Sequence, residues 1–217
     1  MTSSTDLAAL LCSRLCHDML SPVGALNNGL ELLADEQDPE MRERCVELLE
    51  QSAKTTAMKL KFFRLAFGAA GGFGEQVAIE EPRDLIAGLA EGNARVSLGW
   101  ALEVNTLSKP AVKILLNLAA IGLDSLVRGG TLTVGAERSD GATEIVIRAE
   151  GPKIAFDETV GQALAGELPE SELTGRTAPA HMIHLLAREN GGELRSARAD
   201  EMLVLGAALP PVPGMIG

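Results

Sequence analysis

TDLAALLCSRLCHDMLSPVGALNNGLELLADEQ, running from Thr5 to Gln37, decides the architecture of the N-terminal part of the chain. Leu7, Leu11, Leu15, Met19, Val23, Leu26, Leu30 and Leu33 recur at three- and four-residue steps, the period of an amphipathic helix. Ser4 or Thr5 is placed to cap its start. Asp38-Pro39 then makes a turn with proline at a first helical position, and Met41, Cys45, Leu48, Ser52, Thr56, Leu60, Phe63 and Phe67 form a second stripe. The pattern predicts a helical hairpin. Two helices of about 30 residues, roughly 45 Å long, cannot enclose a core along that length, so two hairpins are expected to pair as a homodimeric four-helix bundle.

Outward from the hairpin, Gly68 to Gly74 is glycine-dense and predicts a flexible joint. It divides the chain into a hairpin region, 1–68, and a second domain, 76–209. There the pattern predicts helices near Arg83–Glu91 and Ala111–Val127 around a strand near Arg95–Val104. Thr131–Ala136 and Glu144–Ala149 read as a hairpin pair about Ser139-Asp140-Gly141, followed by helices near Asp157–Ala165 and Ala178–Glu189. Glu193–Ala197 and Met202–Ala207 close the sheet. The fold class is α+β, a helical hairpin followed by an α/β sandwich, and the proline-rich 210–217 is expected to be a flexible tail.

Thirty acidic residues against nineteen basic ones give a net charge of −11, which repels phosphate backbones and anionic lipid, so direct nucleic-acid binding is not expected. No apolar run approaches the roughly 18 residues of a membrane span, the N-terminus lacks the basic flank of a signal peptide, and the expected location is the cytoplasm. Cys12, Cys16 and Cys45 lie in apolar stretches and are expected to be reduced core thiols; Cys12 and Cys16 sit at helical spacing but no second pair completes a zinc site. His181 and His184 lack such a partner too, and are assigned to packing or the surface. Trp100 and Phe156 are expected in the core.

Counting 100° per residue, His17 points roughly opposite the stripe centred on Leu15, Leu26 and Leu33, and so faces solvent. Ser13, Arg14, Leu20, Ser21, Gly24 and Asn28 share its surface, a mostly small and uncharged set that another protein can approach closely. A nucleophilic imidazole needs one nitrogen free and the other held by an acceptor, and Asp18 is placed to hold it or to take up a proton; the alternative is a solvated helix charge. Arg14 and Ser21, one turn to either side, are candidates for phosphoryl contacts. Pro22 removes a helical hydrogen bond beside this histidine and is expected to bend the helix.

His17-Asp18-Met19-Leu20-Ser21-Pro22 resembles the H-box of sensor histidine kinases, and Arg14-Leu-Cys-His-Asp18 with Ser21-Pro22, Gly29-Leu30 and Leu32-Leu33 resembles more closely the ChpT-type histidine phosphotransferases. That resemblance implies a second domain of the histidine-kinase ATP-binding fold. Set against that family's nucleotide boxes, Asn117 is kept but Ile121 stands where a magnesium-holding Asn belongs, and an isoleucine offers no oxygen to a hard cation. Ala149 replaces the aspartate that reads adenine, and Lys153 a glycine. Gly175 survives in the second glycine box, while Thr177 and Pro179 stand where bare backbone cradles phosphates.

The resemblance therefore implies a phosphotransferase that relays a phosphoryl group between receiver-domain aspartates through His17 without ATP. No cofactor is expected on this chain, with magnesium carried by the receiver. The implied partners are the receiver of a hybrid histidine kinase and downstream regulators of the CtrA and CpdR kind. Two rival readings are an active or regulatory histidine kinase homologue, and a receiver-binding module that performs no phosphotransfer.

Overall fold

The structure, a computed structural model, describes residues 4–68 and 76–211. Two antiparallel helices open the chain, α1 (Ser4–Asp35) and α2 (Pro39–Ala66). The turn is held from both sides: the Asp38 carboxylate accepts from the amides of Glu40 and Met41 at 2.8 and 3.2 Å, and Arg42 Nη1 donates to the carbonyls of Leu33 and Glu36 at 3.0 and 2.8 Å. Gly29 is buried against α2, where a Cβ would lie 2.9 Å from Leu49 Cδ2, so glycine sets the closeness of the two helices.

The expected stripe of α1 is corrected in part. Leu15, Met19, Leu26 and Leu33 are half-buried, but Val23 and Leu30 are exposed. Successive four-residue steps precess by about 40° around a helix, so a stripe read through Leu7, Leu11, Leu15, Met19 and Val23 winds off the contact face. Cys12 and Cys16 are also exposed, and of the three cysteines only Cys45 is buried as expected. On α2, Met41, Leu48 and Leu60 are exposed as well. α1 runs unbroken through Pro22, which is buried.

The rest of the molecule is a two-layer α/β arrangement. Its elements are β1 (Gln76–Ala78), α3 (Glu80–Glu91), β2 (Val96–Leu102), β3 (Thr106–Ser108), α4 (Lys109–Ser125), β4 (Gly130–Ser139) and β5 (Ala142–Glu150). They continue with α5 (Glu158–Ala165), α6 (Ala178–Glu189), β6 (Glu193–Ala199) and β7 (Met202–Leu209), with a 3-10 turn at Glu170–Glu172. Five strands form one sheet in the order β2-β4-β5-β7-β6, with β2 parallel to β4 and the other pairs antiparallel; β1 and β3 make a separate antiparallel pair. Alternation sets the inner face: Ile145, Ile147 and Ala149 on β5 and Leu203, Leu205 and Ala207 on β7 are buried, as are Leu115 and Leu118 of α4. β4 and β5 are joined by Asp140-Gly141, both at positive φ (50° and 82°), the two-residue turn that matches strand twist.

Phe62, Phe63, Leu65 and Ala66 at the end of α2 are buried in the same cluster as Val77, Leu107, Ile114 and Leu118, so the hairpin is rooted in the core of the second region. The expected joint at 68–74 and tail at 210–217 lie largely outside the described residues. Trp100 is half-buried, not core: β2 is an edge strand, and the Arg83 guanidinium lies 5.3 Å above the indole. Phe156 is likewise half-buried. Among the described residues, no helix is long and apolar enough to cross a membrane.

Candidate functional site

His17 stands on the open face of α1, its side chain 82% exposed, with Nδ1 3.1 Å from Asp18 Oδ1. Around it Ser13, Ser21 and Asn28 are exposed, Leu20 is 71% exposed, and a Cβ added at Gly24 would meet nothing within 4 Å. The sequence-predicted docking residues thus share one unobstructed surface, with one exception.

The exception is Arg14. Expected to reach outward toward a phosphoryl group, it turns inward, its side chain only 28% exposed, because two carboxylates meet it there: Nε donates to Asp18 Oδ2 at 2.6 Å and Nη2 lies 3.5 Å from Asp124 Oδ2 of α4. Burial works against its charge, but the Asp18 and Asp124 carboxylates more than offset that and hold the guanidinium above its ordinary pKa. Asp18 is thereby engaged at both oxygens, one on Arg14 and one on His17. Its carbonyl is engaged too, accepting from Lys59 Nζ of α2 at 2.9 Å.

Asp124 and Lys59 were not singled out from sequence. Asp124 had no signal, since its approach to Arg14 depends on how α4 docks. Lys59 had one: a proline at position 22 leaves the Asp18 carbonyl without its helical donor, and in an antiparallel hairpin turning at Asp38 the residue opposite Asp18 falls near 59.

Behind this face, where hairpin and second region meet, lies a cavity of about 310 Å³. Arg14, Asp18 and Lys59 line it from one side and Ile121, Asp124 and Arg176 from the other, with Phe62, Phe63 and Phe67 as its apolar wall. The phenylalanines pack together, Phe62 edge-on to Phe63 and Phe63 stacked on Phe67, each pair at 5.7 Å. Asn117, the retained polar residue of the first nucleotide box, is buried and its amide donates to the carbonyls of Lys113 (2.8 Å) and Ala66 (3.4 Å), so its donors tie α4 to α2.

Two further positions aligned with those boxes, Ala149 and Thr177, are buried as well. Ala149 is fully buried, a methyl group in the sheet's inner face. Thr177 is buried and its hydroxyl accepts from the Thr174 amide at 3.0 Å, while the amides of Thr177 and Ala178 both donate to the Thr174 carbonyl, at 3.1 and 2.9 Å. Pro179 adds no donor. This loop abuts α1, with Gly175 beside the backbone of Leu10 and Arg14. Arg176 reaches Asp157 at 3.3 Å, and the Thr159 hydroxyl and amide hold the Asp157 carboxyl below the usual carboxylate range. His184 Nδ1 sits 2.9 Å from the Leu164 carbonyl, and His181 is buried with no partner for its Nδ1.

Known proteins share this chain's sequence and fold. Residues 79–202 match the family model of the histidine phosphotransferase C-terminal domain. The protein phosphotransferase ChpT of Brucella abortus (strain 2308) is 35% identical over 94% of this chain and 96% of its own. A bacterial phosphotransferase of known structure superposes with a TM-score of 0.82 at 34% identity, over 95% of this chain and 98% of that one. A histidine kinase domain from Erythrobacter litoralis is a more distant likeness, with a TM-score of 0.48 at 8% identity over 88% of this chain and 94% of that one. The chain belongs to the ChpT family of histidine phosphotransferases.

Proposed function

We propose that this phosphotransferase works through a phosphohistidine at His17 and takes its phosphoryl group from a receiver domain, with no use of ATP. The observation that carries the reading is the pairing of an exposed imidazole with a carboxylate already anchored on its far side: Asp18 Oδ1 faces Nδ1, while Oδ2 is held by Arg14. A proton on Nδ1 donated to Asp18 leaves the lone pair of Nε2 free and directed at solvent. Nε2 attacks the phosphorus of a receiver's aspartyl phosphate, the P–N bond forms as the P–O bond to the aspartate breaks, and the carboxylate leaves with its electron pair. Transfer to a second receiver runs the same step in reverse. Both species are high-energy, so the chain's contribution is alignment, and the magnesium that offsets phosphoryl charge is supplied by the receiver.

The open face around His17, Leu20, Ser21 and Gly24 is the docking surface for receivers, donor and acceptor in turn. The likeness to the ChpT family implies the receiver of a hybrid histidine kinase as donor and CtrA- or CpdR-like regulators as acceptors. The protein acts as a homodimer in the cytoplasm: Cys12, Val23 and Leu30 on α1 and Met41 and Leu48 on α2 are exposed in a single protomer, and a second hairpin would cover them. ATP independence is supported by a buried methyl at Ala149 and by amides at the start of α6 already bonded to Thr174. His17→Ala tests the site: the variant is expected to fold with wild-type stability and to take up no acid-labile label from a phosphorylated receiver, and labelling like that of wild type would place the phosphoacceptor elsewhere.

A further inference from the structure

A helical carbonyl is normally paired with the amide four residues on, and for Asp18 that residue is Pro22, which has no amide hydrogen. The carbonyl left without its usual donor belongs to the residue that holds His17. Lys59, on the other helix of the hairpin, donates its ammonium to that oxygen at 2.9 Å in a half-buried setting. We infer that Lys59 is a positioning residue of the phosphotransfer site, replacing the backbone donor that Pro22 removes and fixing the turn of α1 that carries Asp18 and His17.

A hydrogen bond from an ammonium to a carbonyl is charge-assisted and stronger than the backbone N–H hydrogen bond it replaces. It reaches across from α2, so the turn is tied to the neighbouring helix and not only to its own. Asp18 is then held at three atoms: Oδ2 by Arg14, Oδ1 against His17, and the carbonyl by Lys59. Two of these anchors act on the side chain, and Lys59 alone acts on the main chain. A surface lysine without such a role would extend into water, whereas Lys59 lies along the cavity wall beside Arg14. With the carbonyl released, the imidazole keeps its neighbours but loses the fixed backbone from which it is aimed, and alignment is what this chain supplies to the transfer step.

The inference rests on His17 as phosphoacceptor, and a double-mutant cycle separates the two. Alanine at position 22 restores an amide that can donate to the Asp18 carbonyl, so Lys59→Met should matter with Pro22 present and little in Pro22→Ala. The full-length protein is mixed with a CtrA-like receiver charged with radiolabelled acetyl phosphate, and single-turnover transfer, receiver affinity and denaturant unfolding are measured for all four members. Lys59→Met is expected to slow transfer about tenfold at unchanged receiver affinity, and less than about twofold in the Pro22→Ala background. Lys59→Arg, which keeps a cationic donor, should retain most of the rate. Equal slowing in both backgrounds would overturn the inference, showing that Lys59 acts on receiver or phosphoryl group directly; an unchanged rate for Lys59→Met would overturn it as well. The unfolding arm needs no phosphorylation: non-additive stabilities are expected, and additive ones would show that lysine and proline are not coupled. A wild-type protein that takes no label would defeat the phosphotransfer reading, while the unfolding arm still decides whether Lys59 serves the carbonyl that Pro22 leaves open.

Discussion

The α1 face around His17 and the α4–α6 side of the second region meet at one seam and treat their polar groups in opposite ways. On α1 an imidazole stands in water with one nitrogen uncommitted, on a surface kept low by Gly24 and small side chains. Across the seam, donors and acceptors are spent internally: the amide of Asn117 on α2, the amides of Thr177 and Ala178 on Thr174, and Arg176 on Asp157. If His17 is the phosphoacceptor proposed above, the difference teaches that reactivity and support are separated. A fold of two regions can give one region the chemistry and retain the other as a brace, which here holds α2 through Phe62 and Phe63 and reaches Asp18 through Asp124 and Arg14.

That division predicts that stability and transfer respond to different residues. Phe63→Ala, which hollows out the bracing contact, should lower unfolding free energy by about 3–5 kcal/mol, read from denaturant melts. A loss under about 1 kcal/mol would mean that the hairpin does not depend on the second region for its anchorage. Gly24→Arg should do the reverse. Its side chain has open space, and leaving glycine favours the helix by up to about 1 kcal/mol, so folding is preserved or improved while a bulky charge on the docking face weakens receiver affinity by about a hundredfold. Titration calorimetry with the receiver checks this, and undiminished affinity would move the docking surface off α1. Asp18→Asn should slow single-turnover transfer by about ten- to a hundredfold with receiver affinity retained, since the anionic partner of Nδ1 is lost and Arg14 keeps only Asp124.

The smallest effect concerns the brace. Burial, with His184 adding to it, pushes the His181 imidazole below its ordinary pKa, so the folded protein disfavours the proton that the unfolded chain accepts. Stability is therefore full above the unfolded value of about 6.5 and falls as pH drops below it toward the folded one. Thermal melts across that range should show the decline, and His181→Leu should flatten it; transfer chemistry at His17 should be indifferent to the substitution above that pH.

What the sequence made legible followed from local rules. The outward direction of His17 came from helical angle, and the β4–β5 turn from Asp140-Gly141. What escaped depended on tertiary placement. Arg14 turned inward because Asp124, far along the chain, arrives beside it; Cys12 and Cys16 look like core residues by hydropathy yet lie on a face that α2 does not cover. β1 and β3, each three residues long, are too short for an alternation to register. Lys59 was readable in principle, because a proline within a helix always raises the question of what satisfies the freed carbonyl.

The most direct test offers both phosphoryl sources to the same protein. Wild type and His17→Ala are incubated in parallel with radiolabelled ATP and magnesium, and with a receiver charged from radiolabelled acetyl phosphate, and acid-labile label on the chain is followed. The separation of reactivity from support predicts label on wild type from the receiver alone, none from ATP, and none on His17→Ala from either. Label driven by ATP would contradict it by returning the second region to chemistry, and receiver-derived label on His17→Ala would remove the chemistry from α1's open face.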